Sequence, residues 1–416
     1  MSGSVTHGER DGRRTRRAVV IVQGDLGRSP RMQYHAYALA VNGVAVDLVG
    51  FAGTPLASPV LAPGGIAVHA IPDSPSAEPG PFYTLRAAFR ALRQLRALAR
   101  TVAALGATDL VLVQTPPSMP STLVGWWHAR RRGARFVLDW HNLGWTLFAL
   151  KAGRGGTAIL RAIETWIARR ADAHLAVSRA MQQSVARTSG RDAAVVYDRA
   201  PHWFVTPDDE HRKAMRRRLF EQAGMAEGGA MLLVSPTSFT PDEDLHLLVD
   251  AADVLEGLRG ALPRRFPRLL VLASGRGDGR PAFEMRAHQR ARDALVTVRT
   301  AWVEPDDYPT LLAAADAGVC THRSSSGLDL PMKVADMFGA GVPVIAVRYP
   351  ALTERVRDGD NGVLFDDAAG LAATWRRMCA PDTGAEWLAG LRRASAAAGA
   401  ERWLDGWNQE AKSVLI

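Results

Sequence analysis

Residues 18–50 read AVVIVQ GDLGRSP RMQYHAYALAV NG VAVDLVG, and the fold follows from this stretch. Ala18 to Gln23 is a short apolar run of strand type, and Gly24 to Ser29 is a glycine-containing loop. Pro30 fits the first position of a helix that reaches Val41, Asn42-Gly43 ends that helix, and Val44 to Gly50 is a second apolar strand. Strand, loop, helix and strand in so few residues predict a β-α-β unit and hence a parallel sheet.

The pattern continues outward. Apolar strands are predicted at Leu110 to Gln114, Phe136 to Asp139, Leu175 to Ser178 and Ala194 to Tyr197, with helical stretches between most of them. The polar, charged segment Thr206 to Arg218 interrupts the alternation. It resumes with strands at Met231 to Ser235, Leu269 to Ala273, Val296 to Thr300, Ala317 to Cys320 and Val344 to Val347. The expected architecture is α/β, with two Rossmann-like, doubly wound domains whose chemistry lies in the loops after the strands. The boundaries are set at 1–17 for a disordered basic tail, 18–205 for the first domain, 206–385 for the second, and 386–416 for C-terminal helices that pack back across the domain interface.

Composition narrows the class. A 416-residue chain with 47% hydrophobic residues can bury two ordinary cores, which argues against a disordered protein. The two cysteines, Cys320 and Cys379, lie far apart, so neither a disulfide framework nor a zinc site is expected, and a reducing compartment is. No run of 18 apolar residues occurs, and residues 1–17 contain no apolar segment of signal-peptide type; the expectation is a soluble, cytoplasmic protein. Residues 1–205 carry 25 Lys and Arg against 12 Asp and Glu, whereas the remainder carries 26 against 30. The first half should therefore meet an anionic partner, such as a membrane surface or a pyrophosphate-linked acceptor. Nucleic acid is not expected, because no zinc-finger spacing, recognition-motif aromatics or helix-turn-helix pattern is present. Tyr83 to Leu105 places Arg86, Arg90, Arg93, Arg96 and Arg100 at helical spacing among Leu and Ala. This basic amphipathic helix suits either a solvated surface packed inward or contact with a membrane surface.

The richest stretch for chemistry is Ser324-Ser325-Ser326-Gly327-Leu328-Asp329-Leu330-Pro331-Met332-Lys333-Val334-Ala335-Asp336, continuing through Gly339 and Gly341 into the strand at Val344. Pro331 fits the first position of a helix running to about Phe338. Lys333 then sits in the first turn, where the helix dipole disfavours a cation unless an anion is present, and a bound diphosphate would supply one. Asp336 follows on the same face one turn later. Lys333 facing phosphates and Asp336 facing ribose hydroxyls would make a sugar-nucleotide site; an ion pair between the two is the plainer alternative.

These residues resemble the GT-B glycosyltransferases, and within them the beta-mannosyltransferases that extend lipid-pyrophosphate-linked chitobiose. The likeness runs through Gly24 to His35, Asp139-Trp140-His141-Asn142, Val196-Tyr197-Asp198, Phe239 to Asp244, and Ser324 to Gly339. It implies a GT-B fold with two domains facing across a cleft, GDP-mannose as donor substrate, no further cofactor or metal, and a glycan or lipid-linked oligosaccharide as acceptor. Retaining members of the wider superfamily carry two glutamates eight positions apart. Aligning the second with Asp336 puts Leu328 at the first, with Asp329 one position off, which implies an inverting enzyme forming a β-linkage. A retaining hexosyltransferase, a sugar-nucleotide epimerase and a non-catalytic binding protein are the rival readings. Membrane-anchored relatives differ from this chain in its polar N-terminal tail, and the basic first half with Trp126-Trp127 suggests peripheral attachment instead.

Inversion needs one general base. Asp139 and Asp25, each at the end of a strand, rank equally, with His141 and His35 behind them; a strand-end aspartate also often caps a turn. In the loop Gly24 to Arg31, Ser29 is expected to cap the next helix, while Gly27, Arg28, Arg31 and His35 form the acceptor set because Arg28 and Arg31 crowd a helix start that an anion would neutralise. Asp242-Glu243-Asp244 is read as part of a capping box, Thr240-Pro241-Asp242-Glu243, and not as a metal site. Thr237 and Ser238 before it, Arg276 in the turn Ser274 to Gly277, and Ser324, Ser325, Ser326, Gly327 and Leu328 complete the donor set with Lys333 and Asp336. Trp302 flanks the nucleobase or belongs to the core.

Overall fold

A computed structural model of the protein describes residues 16–72, 83–149, 154–289 and 293–416. The basic tail expected for residues 1–17 lies, up to residue 15, outside the described residues. In chain order the first sheet's elements are β1 (Arg17–Asp25), α1 (Pro30–Val41), β2 (Ala45–Phe51), β3 (Ile66–Ile71), α2 (Tyr83–Ala104), β4 (Leu110–Thr115), α3 (Ser121–Arg132), β5 (Arg135–Trp140), α4 (Gly144–Ala149), α5 (Arg154–Ala168), β6 (Ala173–Ala176), α6 (Arg179–Ser189) and β7 (Ala193–Val195). Then come α7 (Asp209–Gln222), β8 (Met231–Pro236), α8 (His246–Gly257), β9 (Leu269–Ser274), α9 (Arg280–His288), β10 (Val296–Ala301), α10 (Tyr308–Ala313), β11 (Ala317–Cys320), α11 (Met332–Gly339), β12 (Val344–Val347), β13 (Gly362–Phe365), α12 (Ala368–Met378), α13 (Gly384–Ala398), α14 (Trp403–Glu410) and α15 (Lys412–Leu415).

The strand orders are β3-β2-β1-β4-β5-β6-β7 and β10-β9-β8-β11-β12-β13. Both are doubly wound: the chain moves outward from the first strand, returns to its other side and continues, so a crevice opens where the direction reverses. In the second sheet every adjacent pair is parallel, which fits strands such as LLVLAS in β9 that are buried along their whole length. Compact packing divides the chain into one unit ending at Leu138 and including Arg170–Asp172, and a second comprising Asp139–Arg169 and Ala173–Ile416.

Local sequence accounts for most element ends. Asn42 caps α1 and Gly43 follows with φ 79°, as expected of an Asn-Gly stop. Ser29 is at the N-cap of α1 but does not cap it through its side chain; its hydroxyl donates to the Asp25 carbonyl. The strand expected at Leu175 to Ser178 ends at Ala176, because the Ser178 hydroxyl accepts from Met181 N–H and starts α6. Pro331 is the N-cap of α11 and not its first residue. The sequence reading missed β3 and β13, both edge strands; β3 is largely exposed and β13 is only four residues long.

In α2, Arg93, Arg96 and Arg100 are exposed while Leu98 and Val102 are buried, and the side chains of Arg86 and Arg90 lie outside the described residues. Near the C-terminus, the Arg199 guanidinium pairs with Glu401 and forks onto Glu410, tying α14 to the segment after β7. Among the described residues, no helix is long and apolar enough to cross a membrane.

Candidate active site

In the second sheet the order reverses between β8 and β11, and the loops leaving those strands hold most of the expected donor residues. Thr237, Ser238 and Phe239 follow β8. The Ser274 to Gly279 turn lies against their backbone so closely that a Cβ on Gly275 would sit 1.7 Å from the Thr237 carbonyl oxygen, and one on Gly277 1.8 Å from that of Ser238. Glycine is required at both by this approach, and it places Arg276 beside the loop. The Arg276 guanidinium stacks 3.9 Å from the centre of the Trp302 ring, so Trp302 is neither core nor free of a partner.

The capping box expected at Thr240 to Glu243 does not form, since α8 begins only at His246. Instead the segment makes a turn in which Glu243 N–H donates to the Thr240 carbonyl, and Glu243 forms an antiparallel bridge with His322 after β11. Asp244 N–H donates to the Thr321 carbonyl and Arg323 N–H to that of Asp242. The physical reason is the burial of Glu243, which needs partners that a helix start could not provide. Its carboxylate accepts from the Thr237 hydroxyl, from Ser238 N–H at 2.8 Å and from the Lys333 ammonium. Burial alone would raise the Glu243 pKa, but Lys333 together with the bonds from Thr237 and Ser238 outweighs it and holds it below the ordinary value. The anion demanded by Lys333 in the first turn of α11 is thus supplied by the chain itself, and it is Glu243, not Asp336.

Asp336 is half-buried one turn further on and accepts a hydrogen bond from the Tyr308 hydroxyl at 3.2 Å. Burial pushes its carboxyl up to about 7 against that bond, with Asp198 adding to the rise. A carboxyl so placed is short of partners and suited to accept from ligand hydroxyls.

His322 was not expected. It is held between two carboxylates, with Nδ1 3.1 Å from Asp242 and Nε2 3.0 Å from Asp329. Burial would lower its pKa, yet the bonds to Asp242 and Asp329 prevail and keep it charged up to about 9. Asp329 also accepts from the Ser324 hydroxyl, whose oxygen in turn accepts from Gly327 N–H at 2.7 Å. The serine turn is therefore anchored to an imidazolium. Ser326 accepts from Leu328 N–H, and the Leu328 carbonyl accepts from Ser178. The Ser325 hydroxyl meets Thr146 at 3.0 Å and Asn142 at 3.4 Å. No local signal marks His322, whereas Asn142 stands within the motif already singled out at Asp139.

Those contacts bring the 139–146 segment to the donor residues within one compact unit. Asp139, at the end of β5, is fully buried, and its carboxylate lies 2.8 Å from Nε2 of His141. The His141 side chain remains 22% exposed, so the imidazole and not the carboxylate is the group that a substrate can reach.

The other expected residues belong to the first unit. The Asp25 carboxylate accepts from Gly27 N–H at 2.9 Å, from Thr54 N–H and from the Thr54 hydroxyl at 2.7 Å. Gly27 packs against the carbonyls of Thr54 and Pro55, and Gln33 clamps the same loop by donating to Leu26 and Gly27 and accepting from Ala57 N–H. Arg28 is exposed, whereas Arg31 and His35 are buried on α1.

Two family models match in series: a glycosyl transferase 4-like domain over residues 27–197 and glycosyl transferases group 1 over residues 232–380. The chain is 34% identical to the chitobiosyldiphosphodolichol beta-mannosyltransferase of Mus musculus, over 97% of this chain and 89% of that protein. Its counterpart in Yarrowia lipolytica is 38% identical over 85% and 77%. A protein of Arabidopsis thaliana named UDP-glycosyltransferase TURAN is 35% identical over 86% and 87%. Among solved structures, Anabaena HepE in complex with UDP and glucose superposes with a TM-score of 0.68 at 16% identity, covering 96% of this chain and 99% of that one. WaaG, a glycosyltransferase of lipopolysaccharide biosynthesis, gives 0.66 at 13% identity, covering 96% and 99%. The structural likenesses carry the fold, and the sequence relatives carry the family.

Proposed function

The chain is a GT-B glycosyltransferase that belongs to the chitobiosyldiphosphodolichol beta-mannosyltransferase family, and from that premise we propose that it moves mannose from GDP-mannose to a hydroxyl of a lipid-pyrophosphate-linked glycan with inversion, forming a β-linkage. The observation that carries this reading is the pairing of buried Asp139 with partly exposed His141. With Nε2–H donated to Asp139, the Nδ1 lone pair of His141 is left to take the acceptor's proton as its oxygen attacks the anomeric carbon. The sugar–phosphate bond breaks on the opposite face, and GDP leaves with the electron pair. Asp139 orients the ring and stabilises the imidazolium that forms, as a positioning residue.

Negative charge grows on the departing diphosphate. Lys333, at the start of a helix that has no side-chain cap, exposed Arg276 and the Ser324 to Gly327 turn are the groups available to meet it. Diphosphate would compete with Glu243 for the Lys333 ammonium, and the pair with Glu243 holds the lysine in place at the start of α11. Asp336 accepts from the ribose hydroxyls. Retention is disfavoured by the environment of Asp329: its carboxylate is engaged by His322 and Ser324, and Leu328 stands eight positions before Asp336.

One second reading has a specific ground. The name of the Arabidopsis relative contains UDP, so a UDP-sugar is the competing donor. Incubating the protein with a lipid-linked chitobiose acceptor and either GDP-mannose or a set of UDP-sugars separates the two. Acceptor-dependent GDP release from GDP-mannose is the expected result, and turnover confined to a UDP-sugar would overturn the donor assignment.

A further inference from the structure

The helical hairpin that follows the His141 motif is built inside out. The only acidic residue between Trp140 and Ala171 is Glu164, against Lys151, Arg154, Arg161, Arg169 and Arg170. Glu164 is 2% exposed, and its carboxylate lies 3.4 Å from Trp145 N–H at the start of α4. Ile167 and Ala168 are buried beside it, so one side of α5 faces the protein. The other side consists of Ala158, Ile159, Arg161, Ala162, Trp166 and Arg169, all exposed. Ile159 is 64% exposed, Trp166 39%, and Phe148 on α4 41%. Arg161 lies 5.1 Å from the centre of the Trp145 ring, at the edge of this face.

A solvated helix shows water its acids and hides its large apolar residues; this one does the reverse. Apolar anchors flanked by arginines, with no exposed acid, match the boundary between lipid headgroups and acyl chains, where Trp is favoured and arginine stems lie along apolar surface with their heads at phosphates. We infer that the outer face of α4 and α5 is the surface by which the protein docks on an anionic lipid bilayer. A second copy of the chain fits poorly, because a two-fold contact would set these cations against their own images with no carboxylate to pair them. The hairpin also adjoins the site: α4 begins three residues after His141, and Asn142 and Thr146 meet Ser325. The purpose of the surface rests on the proposed lipid-linked acceptor, since docking there would present the base at the membrane plane.

The test is co-sedimentation of the full-length protein with vesicles of phosphatidylcholine alone or mixed with phosphatidylglycerol. Binding to the mixed vesicles is expected, weakening with salt. Ile159→Glu combined with Trp166→Glu should reduce it about tenfold or more, whereas Met285→Glu, at an exposed apolar residue on α9, should not change it. Arg161→Glu, which leaves Ile159 and Trp166 in place, should weaken binding only to the phosphatidylglycerol vesicles. Wild-type protein that ignores the mixed vesicles, or variants that bind as wild type does, would overturn the inference, as would substitutions that only convert a dimer into a monomer. Transfer to a short-chain, water-soluble acceptor is measured in parallel. Retained transfer with lost vesicle binding supports the surface; wild-type protein that binds vesicles but transfers nothing contradicts the proposed reaction and leaves the surface standing.

Discussion

Asp25 and Asp139 end strands β1 and β5 and look interchangeable in sequence, yet their surroundings give them different work. The Asp25 carboxylate receives Gly27 N–H, Thr54 N–H and the Thr54 hydroxyl, which makes it a staple between two loops. Asp139 is wholly buried and holds a histidine whose ring reaches the rim. A carboxylate met by backbone amides fixes a loop; one met by an imidazole sets the direction in which a proton can move. The lesson is that a catalytic aspartate is identified by what it hydrogen-bonds, not by its place at a strand end.

Substitution can break this comparison, and the largest effect is expected at His141. His141→Ala should slow transfer by the folded protein about 100- to 10,000-fold, measured by single-turnover kinetics. Asp139→Asn should act in the same direction, and the double variant should be little worse than His141→Ala, as for groups acting together. Additive losses would separate the two residues and undo the pairing.

Lys333 sharpens the contrast between the site and its scaffold. Lys333→Ala should cost about 100-fold in transfer and, by leaving Glu243 buried without its cation, about 3–5 kcal/mol of stability by denaturant titration. Adding Glu243→Gln should restore much of the stability and none of the activity. If activity returned with stability, Lys333 would be structural only.

His322 gives a pH signature. Its folded pKa of about 9 lies above the ordinary 6.5, so its contribution is fully present below pH 6.5 and is lost as pH rises to about 9, amounting to about 3 kcal/mol. Unfolding titrations of His322→Gln across that window should show a flatter profile than wild type. An unchanged slope would mean that the two carboxylates do not hold the imidazolium.

The smallest effect is expected at Asp25. Asp25→Asn should lower stability by about 1–2 kcal/mol and leave turnover of the folded protein nearly unchanged. Abolished transfer at an intact thermal midpoint would reverse the assignment of the two aspartates.

Much of this was legible in the sequence, for identifiable reasons. Buried parallel strands are continuous apolar runs, so Ala18 to Gln23 and Leu269 to Ala273 mark themselves, and with them the loops where ligands bind. β3 escaped because it is largely exposed, and β13 because its four residues are too short a run to stand out. The Ser324 to Asp336 stretch is informative because its glycine, proline and charges are local. Glu243 misled because a capping box is a local rule, while the partner that won, Lys333, is ninety residues away. His322 needed two carboxylates from different loops, and nothing beside it in the chain announces them.

The central claim is a single displacement with His141 as base, and the anomeric configuration of the product tests it most directly. Wild-type protein, GDP-mannose and a lipid-linked chitobiose acceptor should yield a mannoside whose anomeric carbon, examined by NMR, is β-linked. An α-linked mannoside from the same mixture would contradict the account, since inversion at an α-linked donor cannot produce it.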